Sequence, residues 1–325
     1  MRPDGNFPKT RTNQMKIRTC APALALLSLL ASAPLAQAQS LADGSQQRPL
    51  RVLLIPADGG TESGTKADYA PIFNAITRST GLYFQLTVGQ SYGAVVEGMC
   101  NQLAEVAFLG PVSYVQAHER QCAQLLAVGV QKGESAYYAA MFAKADSPIN
   151  TLADLKGKRA AFGDVNSASS FTFQVASMIK DGMDPAKDLA ALQLTGSHAS
   201  SLAALVQGQV DAAALSFDSF DKAVRQGAVD PKSVKVIFKS EPIPYPPLAM
   251  NTKLPESLKA TLKQAFSTVH QAPGVTPDMV RGYGGAKLDR FDTEFSEAQF
   301  AGPASKMALL TDEIKGEILQ KAAQR

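Results

Sequence analysis

Asp154-Leu-Lys-Gly-Lys-Arg-Ala-Ala-Phe-Gly-Asp-Val-Asn-Ser-Ala-Ser-Ser-Phe171 reads as a turn, a short apolar strand over 159–162, and a hydroxyl-rich loop that opens a helix. Ser167, Ser169 and Ser170 cluster where that helix begins. The first N–H groups of a helix lack intrahelical partners, and its N-terminus carries about half a positive charge. Hydroxyls around such an end make a site for a tetrahedral oxyanion. One serine is accounted for as an N-cap. Three hydroxyls within four residues exceed that need.

The same alternation of short apolar runs and helical spacing extends in both directions. Upstream, strand-like runs at 51–56, 83–88, 105–109, 124–130 and 137–143 are separated by helical patterns at 67–80, 92–102 and 112–120. The order predicts a mainly parallel, doubly wound sheet. After a polar link following Ala143 the pattern restarts. Strands near 159–162, 191–195, 210–215 and 233–239 alternate with helices near 170–181, 198–207 and 218–226. Ser240-Glu-Pro-Ile-Pro-Tyr-Pro-Pro247 is then extended and stiff, a second link. A strand at 248–251 and helices near 255–269 and 304–323 complete the chain; in the last, Met307, Leu310, Ile314 and Ile318 form one apolar stripe. Two α/β blocks joined by two links predict two lobes with a cleft between them: 39–143 plus 248–325 as lobe one, and 144–247 as lobe two.

Residues 1–38 differ from the rest. A basic start around Met15, which is itself a candidate initiator, leads into an apolar run over 21–35, and Ala36-Gln37-Ala38 fits a signal-peptidase site. The run is too short for a spanning helix, so export to the periplasm with cleavage near Ala38 is expected. The whole chain has a formal charge of +3. Residues 1–38 hold Arg2, Lys9, Arg11, Lys16 and Arg18 against Asp4, which leaves −1 on the remainder. The basic balance therefore belongs to the export signal, and no nucleic-acid partner is expected. Two cysteines remain, Cys100 and Cys122, and an even count in an exported chain points to one disulfide. Three histidines with no paired spacing give no metal site, and no cofactor motif is present.

Ligands of open α/β sheets bind at the carboxyl ends of strands. Tyr92, Tyr137, Ser167 to Ser170, Gly196-Ser-His198 and Asp218 all follow or begin strands in this way. Their chemistry is hydroxyl, phenol, imidazole and helix amide, which suits oxyanion binding. Ser167, His198 and Asp218 also contain the residue types of a catalytic triad. No nucleophile elbow is present, and an enzyme is not expected.

Four motifs resemble the periplasmic solute-binding proteins of phosphonate, phosphite and phosphate ABC importers. They are Ser91-Tyr-Gly-Ala-Val-Val-Glu-Gly-Met99, Glu105-Val-Ala-Phe-Leu-Gly-Pro-Val-Ser-Tyr114, Leu152 to Phe162 running into Asn166-Ser-Ala-Ser-Ser170, and Gly196-Ser-His198 followed by Gly208-Gln-Val-Asp-Ala-Ala213. The resemblance implies a type II two-lobed binding protein, each lobe a mainly parallel sheet flanked by helices, with two hinge crossings. It implies phosphoryl oxygens held by Ser167, the Ala168 amide, Ser169, Tyr137 and His198, with Tyr92 closing from lobe one. It implies an ABC permease as partner and a monomeric carrier. Asp218 matches one of the carboxylates that read an amine in aminoalkylphosphonate binders, while Pro246 stands where a second is usual. Ala168 and Ser170 replace the loop's threonine and glycine. A sensor for a membrane kinase would share this pocket, and a scaffold retuned to a sulfonate would share the hydroxyl loop.

Overall fold

The two runs of alternating strands and helices build two separate sheets, one of six strands and one of five. The computed structural model of the chain describes residues 41–56 and 62–324. The expected export signal over 1–38 lies outside them. No helix of the described residues is long and apolar enough to cross a membrane.

The first sheet begins with β1 (Leu50–Leu54), α1 (Glu62–Thr80), β2 (Phe84–Val88), α2 (Tyr92–Cys100), β3 (Val106–Phe108), α3 (Pro111–Glu119) and β4 (Ala123–Val130). β1 pairs in parallel with both β2 and β3, which the helical connections between these strands allow. β3 and β4 are buried along nearly their whole length because helices cover both faces. α1 buries Tyr69, Ile72, Phe73 and Ile76, one stripe at helical spacing. Cys100 and Cys122 are disulfide-bonded, tying the end of α2 to the start of β4 across a separation of 22 residues.

The chain then leaves this sheet through β5 (Ala136–Tyr137) and enters β6 (Ala139–Lys144). The sequence reading kept 137–143 in the first lobe. Instead β6 is antiparallel between strands of the second sheet, so the first crossing falls at Tyr137, before the polar link. The reason is visible in β6 itself. Met141 and Ala143 face one apolar cluster while Ala140 and Phe142 face another, so the strand needs cover on both sides. The second sheet continues with β7 (Arg159–Phe162), α4 (Phe173–Lys180), α5 (Pro185–Asp188), β8 (Ala191–Leu194), α6 (His198–Val206), β9 (Ala212–Ser216), α7 (Phe217–Arg225) and β10 (Val234–Lys239). β7 pairs in parallel with β8 and β9.

The proline-rich segment returns the chain through β11 (Ile243–Pro244), which pairs antiparallel with β5 to form a two-stranded hinge ribbon. β12 (Pro247–Asn251) then inserts between β3 and β4, antiparallel to both. α8 (Glu256–Thr268) packs on this sheet, and β13 (Arg290–Asp292) extends its edge beside β4. The expected helix over 304–323 is two helices, α9 (Ala301–Leu309) and α10 (Asp312–Ala323). α9 lies against α3 of the first lobe and α4 of the second. α10 packs on β8 and α5, and its Ile318, with Leu310, joins the second lobe's core. The C-terminal end, read from sequence as part of lobe one, therefore belongs with the second sheet. The two hinge crossings are joined by a third passage of chain through α9.

Candidate functional site

The site is built from helix N-termini that meet where the lobes touch. Ser167 has extended backbone and its Oγ accepts the Ser170 N–H at 3.1 Å, the geometry of an N-cap. The first turn after it, Ala168–Thr172, is a wide π turn before α4. The amides of Ala168 and Ser169 are first-turn N–H groups, which helix geometry leaves without intrahelical acceptors. Ser197 caps α6 and Ser216 caps α7 in the same way, each accepting a backbone N–H three residues on. Ser91 caps α2 from the first lobe.

His198, the first residue of α6, is fully buried. The Ser216 N–H donates to its Nδ1 at 3.0 Å, so Nδ1 has no proton and Nε2 carries it. Nε2 therefore donates to the Tyr283 hydroxyl at 2.6 Å, with the Tyr92 hydroxyl 3.5 Å away. Burial without a charged partner pushes the imidazole pKa down to about 3. At neutral pH the ring is therefore uncharged. Neither nitrogen bonds a serine hydroxyl or a carboxylate, so Ser167, His198 and Asp218 are not arranged as a triad.

Tyr137, in the hinge ribbon, is buried, and burial raises its phenol pKa well above the ordinary range. A hydrogen bond with the Ser169 side chain opposes that rise, and the negative charge of Asp218 adds to it. Tyr137, Ser169 and Asp218 are thus neighbours. Tyr92 is 2 % exposed and reaches the same place from lobe one. Its ring lies so close to Gly110 that a Cβ there would sit 3.2 Å from Cε1, which gives a physical reason for glycine in the Leu109-Gly-Pro111 motif. The structure therefore gathers Tyr92, Tyr137, Ser169, His198 and Asp218, with Ser167 and Ala168 at the adjoining helix start. Ser170 is different: its hydroxyl is turned against Gly163, where a Cβ would meet it at 2.2 Å. That hydroxyl is buried and has no hydrogen-bond partner.

Asp164 and Tyr283 were not singled out by the sequence. Asp164, just past β7, accepts the Tyr92 N–H at 3.1 Å across the seam and the Asn166 N–H at 2.8 Å. Burial raises its carboxyl pKa, and these two N–H bonds counter the rise. Next to it, Ser113 donates to the Asn166 carbonyl and Gln116 to its side-chain oxygen, so α3 also grips the loop. Tyr283 sits in Gly282-Tyr-Gly-Gly285, and a large ring set among three glycines was the available signal.

Hydroxyl, phenol and imidazole groups meet four helix ends here, with no lysine or arginine among the named side chains, a chemistry that suits an anion. Over residues 60–292 the chain matches the family model for the periplasmic substrate-binding protein of the phosphonate ABC transporter. The chain belongs to this family. It is 30% identical over 265 residues to the phosphate-import protein PhnD of Mycolicibacterium smegmatis, covering 78% of this chain and 81% of that one. It is 26% identical over 233 residues to the phosphonates-binding periplasmic protein of Escherichia coli, covering 70% and 68%. Among solved structures, PhnD1 of Prochlorococcus marinus in complex with methylphosphonate superposes with a TM-score of 0.67 at 17% identity, covering 80% of this chain and 97% of that one. That likeness shows the shared type II two-lobed fold.

Proposed function

We propose that this protein captures a phosphorus oxyanion (phosphate, phosphite or a phosphonate) in the periplasm and delivers it, as a monomer, to an ABC permease. The observation that carries the reading is the hydroxyl-lined helix start at Ser167–Ser169, faced by Tyr92 from the other lobe and joined by Tyr137. Ser167, Ser169 and the amides of Ala168 and Ser169 hold the oxyanion, and Tyr92 and Tyr137 add phenol donors. Helix-end partial charges balance the ligand's negative charge where a buried lysine or arginine would need its own counter-ion once the ligand leaves. Asp218, half-buried beside Tyr137, accepts the proton that a protonated oxyanion carries and sulfate lacks.

Relatives named for phosphate import and for phosphonate binding support this ligand class. Calorimetric titration with phosphate, phosphite, methylphosphonate, 2-aminoethylphosphonate, sulfate and taurine tests it. Saturable binding of at least one phosphorus oxyanion, tighter than sulfate or taurine, is the expected result. Preference for either sulfur ligand would overturn the reading.

A further inference from the structure

We propose that Tyr283 is a specificity-determining residue that closes the inner end of the cleft. It limits the ligand to oxyanions whose fourth substituent is no larger than oxygen, hydrogen or a methyl group. The inference rests on the phosphorus-oxyanion reading above and narrows it.

Tyr283 comes from a tight excursion of the first lobe between α8 and β13. The Leu288 N–H bonds the Val280 carbonyl and the Gly282 N–H bonds the Ala286 carbonyl, closing a small loop. Gly284 and Gly285 take φ values of 66° and 64°, the left-handed region that glycine occupies without penalty. This backbone carries the loop over the start of α7, where a Gly284 Cβ would stand 3.5 Å from the Asp218 carbonyl oxygen. The loop thus covers Asp218 from the first lobe and drives the Tyr283 ring into the seam.

The ring is fixed from every side. Its hydroxyl accepts a hydrogen bond from His198 Nε2–H at 2.6 Å and another from the Ser219 hydroxyl at 3.4 Å. Its face stacks on Phe108 at 6.5 Å and its edge meets Tyr137 at 5.6 Å. From behind, the Tyr245 hydroxyl donates to the Tyr283 carbonyl at 3.2 Å. Gly282 makes that approach possible, since a Cβ there would be 3.0 Å from Tyr245 and 2.8 Å from Leu288. Tyr283 is 2 % exposed. Buried rings with satisfied polar ends do not swing aside for a ligand without losing both packing and hydrogen bonds. The Tyr283 ring stands 5.6 Å from Tyr137, which bonds the Ser169 side chain, so it walls the space beside an oxyanion held at Ser167–Ser169. A small fourth substituent fits against that wall and a longer chain collides with it.

The test is a ligand series that changes size without adding charge: phosphate, phosphite, methylphosphonate, ethylphosphonate and butylphosphonate, titrated into the wild-type protein and three variants. Misfit of this kind is worth roughly 10–200-fold per methylene-sized step. Methylphosphonate is expected to bind the wild type about 100-fold or more tighter than butylphosphonate. Tyr283→Phe should keep that ratio, because the ring that sets the size limit stays in place. Tyr283→Ala should bring the two phosphonates within about tenfold of each other, and Tyr283→Leu should give an intermediate ratio if the alanine variant does not fold. Wild-type protein that accepts butylphosphonate as well as methylphosphonate overturns the proposal. So does a folded alanine or leucine variant with the wild-type ratio. Absence of wild-type binding to all five ligands instead overturns the phosphorus-oxyanion reading on which the proposal stands.

Discussion

Replacing His198 with glutamine should remove a large part of the protein's acid sensitivity. In the fold the imidazole is neutral, with a pKa lowered from 6.5 to about 3. The sign follows from proton counting. Below pH 6.5 the unfolded chain binds a proton at this site and the folded chain does not, so stability falls as pH falls, until the folded ring also protonates near pH 3. At pH 5 the difference is about 2 kcal/mol, from 1.36 kcal/mol for each pH unit below the unfolded pKa. For a domain of this size that is a shift of about 4–8 °C in melting temperature. Glutamine can still accept the Ser216 N–H or donate toward Tyr283 but does not titrate. The measurement is thermal or urea unfolding of ligand-free wild type and His198→Gln at pH 7.5 and pH 5. Ligand must be absent because a bound anion would favour the protonated ring. Carboxylates such as Asp164 titrate in both proteins and cancel in the difference. The variant is expected to be less stable at pH 7.5, yet to lose about 2 kcal/mol less than wild type on acidification. Equal losses in both proteins would refute the buried neutral ring.

Ser169→Ala should weaken oxyanion binding by roughly 1–3 kcal/mol, since a donor to a charged oxygen is removed; unchanged affinity in calorimetry would take Ser169 out of the site. Asp164→Ala deletes the acceptor that the Tyr92 N–H finds across the seam, a cap worth about 1 kcal/mol. Ligand affinity should fall about fivefold and small-angle scattering should report a more open particle; identical affinity and scattering would count against a role in closure. Reduction of the Cys100–Cys122 bridge, or its replacement by a serine pair, should lower stability by about 3 kcal/mol from the 22-residue loop it closes, measured as a lower urea midpoint with unaltered ligand affinity. A change in affinity would mean that the bridge shapes the site as well as the first lobe.

Much of the fold was legible because local pattern and tertiary role agree. The apolar runs that became β1, β4, β7 and β9 are buried strands, and the stripe on α1 faces the core. That hydroxyl and imidazole groups come together between the lobes was also legible, because they follow strands and open helices. What sequence did not show depends on contacts between distant segments. β6 is read equally well as the last strand of one sheet or a strand of the next, and only its two separate apolar faces decide. The stripe on Leu310, Ile314 and Ile318 does face a core, but periodicity does not say which, and the break before Thr311 carries it to the second lobe. Tyr283 lies in a region with weak periodicity, 85 residues beyond its partner His198. Its role comes from glycine-built backbone shape and from Tyr245 behind it, neither of which is a spacing signal.

α9 has a mechanical consequence. The β5–β11 ribbon alone is a strap two strands wide, which resists stretching but yields to both bending and twisting. α9 adds a third tether: it packs on α3 and α4, and Lys306 reaches back to pair with Glu241 beside the ribbon at 2.8 Å. Two bodies joined at a strap and at a separate point lose most of their freedom to twist and keep one swing. A closing swing guided in this way would return Tyr92 and Tyr283 to the same registry against His198 each time, without either lobe being rigid in itself.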